Sequence, residues 1–116
     1  MFKVIKRIEI SAMHKLDLNY TSECSNPHGH NWIITVEVKS QHLNENGMVF
    51  DFKLLKEMIH GKLDHSNLNE KLNFNPTAEN IAKWVADTVD KNIDITSFCS
   101  RVTVQESEGN IAIWEK

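Results

Sequence analysis

The sequence predicts an α+β fold: a four-stranded antiparallel sheet with two helices on one face, in the order ββααββ. Three observations predict it. Apolar residues alternate with polar ones near the start and again over residues 28–40. Two stretches in the middle place apolar residues three and four apart. Two short β-rich segments flank a turn near the end. No linker, repeat or low-complexity stretch divides the 116 residues, so residues 1–116 form a single domain.

The first strand covers residues 2–13, with Phe2, Val4, Ile8, Ile10 and Ala12 in one phase and His14 next in that phase. A polar loop follows over residues 15–27. In the second strand, residues 28–40, His28 and His30 share the phase of Trp32, Ile34, Val36 and Val38. Asn44-Glu-Asn-Gly47 signals a turn, and Met48-Val-Phe-Asp51 leads into a helix whose apolar face is Phe52, Leu55, Met58, Ile59 and Leu63. The stretch Leu63-Asp-His-Ser-Asn-Leu-Asn69 is too polar and turn-rich to carry that helix far. Asn75-Pro-Thr-Ala-Glu79 opens the second helix, with cap-type residues around a proline suited to a first turn. Its apolar stripe is Ile81, Trp84, Val85 and Val89. Residues 101–106 and 111–114 are short strands joined at Ser107-Glu-Gly-Asn110 as a hairpin. Such a sheet has two open edges, which predicts pairing with further copies.

Composition excludes several functions. Hydrophobic residues make up 41% and charged residues 25%, ordinary for a soluble protein. A net charge of −3, with no basic run, argues against nucleic-acid binding. No apolar stretch approaches the roughly 20 residues that span a bilayer. The N-terminal residues alternate like a strand and lack the apolar block of a signal peptide. Two distant cysteines make no disulfide framework, and a reducing cytoplasm is expected.

The chemistry concentrates in Cys24-Ser-Asn-Pro-His28-Gly-His30, with His14 ten residues before the cysteine. Histidines at i and i+2 of a strand point to one face. Two neighbouring strands would therefore bring His14, His28 and His30 together on the inward side. Three neutral imidazoles with an open fourth position is the pattern of catalytic zinc. Cys24 is either a fourth, structural ligand or a reactive thiol whose pKa a nearby metal lowers. Cys99 has no partner motif and reads as a packing or loop residue. Asp64-His65 reads as a helix-end cap or as a proton relay in which the carboxylate orients the imidazole. Nothing local distinguishes Glu106 from an exposed charge, and His42 and His60 read as ordinary surface or hydrogen-bonded histidines.

Together these segments resemble the 6-pyruvoyl-tetrahydropterin synthase and 6-carboxy-tetrahydropterin synthase family. The resemblance rests on His14, Cys24-x-x-x-His28-Gly-His30, Gly47-Met-Val-Phe-Asp51-Phe, Leu63-Asp-His65-x-x-Leu-Asn69, Asn75-Pro-Thr-Ala-Glu-Asn80 and Val104-Gln-Glu106. Each motif is weak alone, but six in order across almost the whole chain are specific. The resemblance implies the tunnelling fold, with subunits pairing sheet edges into a three-protomer barrel and two rings stacking into a hexamer. It implies Zn²⁺ held by His14, His28 and His30, and Cys24 as general base. Asp64 and His65 would assist proton transfer from a neighbouring subunit.

The resemblance further makes Glu106 the anchor of the pterin ring, since a carboxylate can accept two parallel N–H bonds. Thr77 and Glu79 would line the same substrate pocket. Three residues, rather than five, separate the cysteine from His-Gly-His, as in the bacterial branch. That branch converts 7,8-dihydroneopterin triphosphate into 6-carboxy-5,6,7,8-tetrahydropterin, acetaldehyde and triphosphate for 7-deazaguanine and queuosine synthesis. Another branch carries glutamate in the cysteine's role, and Glu23 stands beside Cys24. The alternatives are pyruvoyl-product synthesis, a non-catalytic oligomer with a structural Cys₁His₃ zinc, and, on a related fold, a pterin aldolase acting on the unphosphorylated compound. The histidine triad counts against the aldolase, because a retro-aldol through the pterin ring needs no metal.

Overall fold

The two long alternating segments of the N-terminal part pair with each other. A computed structural model describes residues 1–116. Strand β1 (Phe2–His14) and strand β2 (His28–Ser40) form an unbroken antiparallel ladder from Phe2↔Ser40 to His14↔His28. Helix α1 (Phe52–Leu63) is capped by the Asp51 carboxylate, which accepts from the Lys53 amide at 2.8 Å. A two-residue strand β3 (Ser66–Asn67) and a short helix α2 (Leu68–Lys71) follow. Helix α3 (Ala78–Asn92) leads to strand β4 (Ser97–Ser107) and strand β5 (Asn110–Glu115). Among these elements no helix is long and apolar enough to cross a membrane.

The architecture is the predicted α+β one, with one correction. The sheet has five strands, in the order β3-β1-β2-β4-β5, and it is mixed because β3 runs parallel to β1. Ser66 and Asn67 pair with Ala12 and Met13. A strand of two polar residues has no alternation to read, so only the tertiary contact defines it. The hairpin turn falls where predicted, with Gly109 at φ 83°, a left-handed conformation that glycine adopts without steric penalty.

One face of the sheet carries the core. Ile8, Ile10, Trp32, Ile34, Val36, Val38, Val102 and Val104 meet Leu55, Ile59 and Leu63 of α1 and Ile81, Val85 and Val89 of α3, all buried. Each such aliphatic side chain contributes about 1.5–3 kcal/mol relative to exposure. Strand β4 begins four residues earlier than the alternation suggests. A bulge against Glu37 and Val38 inserts Ser100, whose hydroxyl donates to the Glu37 carboxylate at 2.8 Å. The extra residue switches the phase, so Cys99 and Val102 both face inward. Cys99 is a core residue, and burial pushes its thiol up to about 12. It is therefore unreactive at neutral pH.

Candidate active site

The inward phase of β1 and β2 runs out of aliphatic residues at the same end of the sheet. His14 pairs with His28 across the ladder, and His30 lies opposite Ala12. The three rings meet edge to face, with centroids 4.5 Å apart for His14–His28, 5.2 Å for His14–His30 and 4.8 Å for His28–His30. Trp32 packs against His14 and His30 from the core side, at 4.8 and 5.4 Å. Its indole N–H donates to the Ala12 carbonyl, which fixes that wall.

Backbone carbonyls set the tautomers. A carbonyl can only accept, so His14 Nδ1 donates to Pro76 O at 2.8 Å and His28 Nδ1 to Asn26 O at 2.7 Å. Nε2 of both rings is left to ligate, the usual outer-sphere arrangement of metal-binding histidines. His14 Nε2 and His30 Nε2 are buried without any hydrogen-bond partner. Burial lowers both imidazoles below the ordinary 6.5. Both therefore favour the neutral, ligating form at neutral pH.

Glu106 completes the cluster. Its carboxylate lies 3.3 Å from His30 Nε2 and 3.8 Å from His14 Nε2. The candidate ligand atoms of His14, His28, His30 and Glu106 all lie within 4.8 Å of one another, so the group could hold a metal ion. Glu106 keeps the inward phase of Val102 and Val104, at the point where a second bulge interrupts the ladder: Gln105 pairs with Ile111 and Ser107 with Asn110, leaving Glu106 as the extra residue. Local sequence alone assigned Glu106 no role, and only the resemblance named it, as the pterin anchor. The available signal was phase, since Val102, Val104 and Glu106 form one inward series that ends on a charge.

Two clefts flank the cluster. One, of about 570 Å³, is lined by Thr77, Glu79 and Glu106 together with Leu16, Tyr20 and Ile111. Thr77 is the α3 cap, its hydroxyl accepting from the Asn80 amide at 3.1 Å, so Pro76 stands just outside the helix rather than in its first turn. The other cleft, of about 580 Å³, is lined by His30, Ser11, Asn31 and His65. Asp64 is the C-cap of α1, and its Oδ1 accepts from the Ser11 amide at 2.9 Å. That bond, the largest cause, holds the carboxyl below the usual 3.8.

Cys24 is not in the four-residue cluster. It sits exposed on a 3₁₀ turn, Glu23–Ser25, and its carbonyl accepts from the Leu16 amide at 2.8 Å. Two asparagines hold the start of this loop. Asn69 pairs with the Lys15 backbone through both an N–H and a C=O, and Asn75 does the same with Asp17. Both asparagines belong to recognised motifs, yet sequence alone assigned them no role.

The sequence profile described as 6-pyruvoyl tetrahydropterin synthase matches residues 3–116. The chain belongs to this family. A 6-carboxy-5,6,7,8-tetrahydropterin synthase of Bacillus subtilis is 29% identical, covering 97% of this chain and 84% of that one. A dihydroneopterin monophosphate aldolase of Pyrococcus furiosus is 36% identical over 78% of this chain and 77% of its own length. Among solved structures, the Caenorhabditis elegans 6-pyruvoyl tetrahydropterin synthase superposes with a TM-score of 0.80 at 25% identity, covering 99% of this chain and 95% of that one. The curated relatives therefore include one named as an aldolase of a phosphorylated pterin.

Proposed function

We propose that this chain is a zinc-dependent lyase of the cytoplasm that converts 7,8-dihydroneopterin triphosphate and one water into 6-carboxy-5,6,7,8-tetrahydropterin, acetaldehyde and triphosphate, for 7-deazaguanine and queuosine synthesis. The observation that carries the reading is the pair of buried, partnerless Nε2 atoms of His14 and His30 beside His28. Three imidazoles suit zinc, and zinc bound there would supply Lewis acidity for oxyanions that develop on the substrate side chain. The three-residue Cys–His spacing and the Bacillus relative favour the carboxy product over the pyruvoyl one.

The residues divide the work. His14, His28 and His30 hold the ion. Cys24, as thiolate, removes a side-chain proton from the substrate, which starts loss of triphosphate. Asp64 orients His65 for the accompanying proton transfers. Glu106 faces the 570 Å³ cleft, a volume suited to a small heterocyclic ligand, and accepts the pterin N3–H and 2-amino N–H. Thr77 and Glu79 line the same cleft. The sheet edges at β3 and β5 are open, and Ile111 and Ile113 on β5 are half exposed. Both features support edge pairing into a trimeric ring, two of which stack as a hexamer, with Asp64 and His65 serving a neighbour's site.

The deciding measurement is mass spectrometry of products from the zinc-loaded protein and 7,8-dihydroneopterin triphosphate. Acetaldehyde with 6-carboxy-tetrahydropterin is expected. A 6-pyruvoyl product would move the chain to the other synthase branch. The Pyrococcus relative supports one further reading, aldol cleavage of dihydroneopterin monophosphate. That reaction would release a two-carbon fragment still bearing phosphate and would be seen in a parallel incubation.

Glu106 is close enough to the histidines to compete for the ion, so its role needs a separate test. Glu106→Gln is expected to raise KM at least tenfold, since a charge-assisted pair of bonds is worth about 1.5–3 kcal/mol. Zinc content by plasma mass spectrometry should stay at the unsubstituted level. Loss of zinc with unchanged KM would make Glu106 a ligand instead.

A further inference from the structure

The Asp64–His65 pair has a third member. His60 stands one helical turn before Asp64, and its Nε2 lies 3.2 Å from Asp64 Oδ2. His65 Nε2 lies 3.4 Å from that same oxygen. The other oxygen, Oδ1, is committed to the Ser11 amide, so the two imidazoles share what remains of the carboxylate. This sharing is built into the backbone. His65 adopts φ 54°, the one non-glycine residue here with a positive φ, while its amide donates to Ser11 O at 2.7 Å. A left-handed residue bound on both sides in this way is held in place rather than left to rotate.

We propose that His60 is a positioning residue for His65, acting through Asp64: it draws on the carboxylate oxygen that His65 uses and so sets how strongly Asp64 supports a proton on His65. The inference rests on the reading of Asp64 and His65 as the proton-transfer pair. An imidazole nitrogen 3.2 Å from Oδ2 draws on its negative charge when it carries a proton toward that oxygen. Removing it leaves the whole carboxylate charge to His65 and favours the imidazolium.

Charged groups face His60 from its own helix. Lys53, Lys56 and Glu57 line the shallow groove in front of His60 on its own helix. From β1 the Ser11 amide reaches Asp64, and on the α3 side Trp84 sits under Lys62. The charged side chains that bear on Asp64 are His60 and His65. His60 is partly exposed and His65 largely so, at 35% and 84%, while Asp64 between them is at 16%. Alanine is the best helix former and has no side-chain donor, so His60→Ala keeps the last turn of α1 while removing the contact with Asp64.

The test is an NMR titration of the intact protein with ¹³C-labelled histidine rings, which needs neither substrate nor turnover. In His60→Ala the His65 midpoint is expected to move to higher pH by roughly half a unit. The acid limb of the kcat/KM profile should move with it. In an Asp64→Asn background the same His60→Ala change should leave His65 unmoved, because the shared oxygen no longer carries charge. An unchanged His65 midpoint in His60→Ala, or a shift that persists without Asp64, would overturn the proposal. Failure of the underlying reading shows differently, as full turnover in Asp64→Asn.

Discussion

His14→Ala is expected to abolish zinc binding and reduce turnover to background. His14 is fully buried, and its ring is fixed by Pro76 O on one side and by Trp32 behind. Loss of outer-sphere partners alone typically weakens metal affinity 10–100-fold, so deleting one of three ligands should cost at least about 100-fold. The substitution also strands the Pro76 carbonyl and opens a void, with a penalty of roughly 1–3 kcal/mol. His28→Ala separates the two effects, because His28 is only partly buried and its removal spares the core. Chelator competition and metal analysis on both variants provide the readout. Stoichiometric zinc and full turnover in both would refute the triad.

The legible parts of this molecule are those where one residue's environment follows from its neighbours in sequence. A period of two along 13 residues of β1 and of β2 is enough to put three histidines on the core face, and the 13-residue ladder does so. Both long helices were likewise readable from their apolar stripes. The alternation fails where a bulge changes its phase. Ser100 hides the first third of β4. Contacts between segments distant in sequence were equally hidden. The β3–β1 pairing, the Asn69 and Asn75 clamps on residues 15 and 17, and the sharing of Asp64 by His60 and His65 each need the fold first. His60 was passed over although its i,i+4 spacing from Asp64 on a helix was in view.

Cys24→Ala separates a catalytic thiol from a structural one. Cys24 is exposed, and the bonds that hold its turn are made by backbone: its amide donates to Ser22 Oγ at 3.1 Å and its carbonyl accepts from Leu16. Removing the sulfur therefore leaves the 3₁₀ turn and the asparagine clamps in place. Turnover is expected to fall by about 10²–10⁴, the usual contribution of a positioned base, with zinc content and melting temperature unchanged. Loss of zinc would instead support a Cys₁His₃ structural site, a reading weakened by the absence of Cys24 from the group formed by the three histidines and Glu106. Glu23 is the natural control, since it is an exposed carboxylate on the same turn. Glu23→Gln should leave turnover near the unsubstituted rate. If Glu23→Gln collapsed turnover while Cys24→Ala did not, the base would be the carboxylate, and the chain would use the glutamate chemistry of the other branch on a cysteine-type spacing.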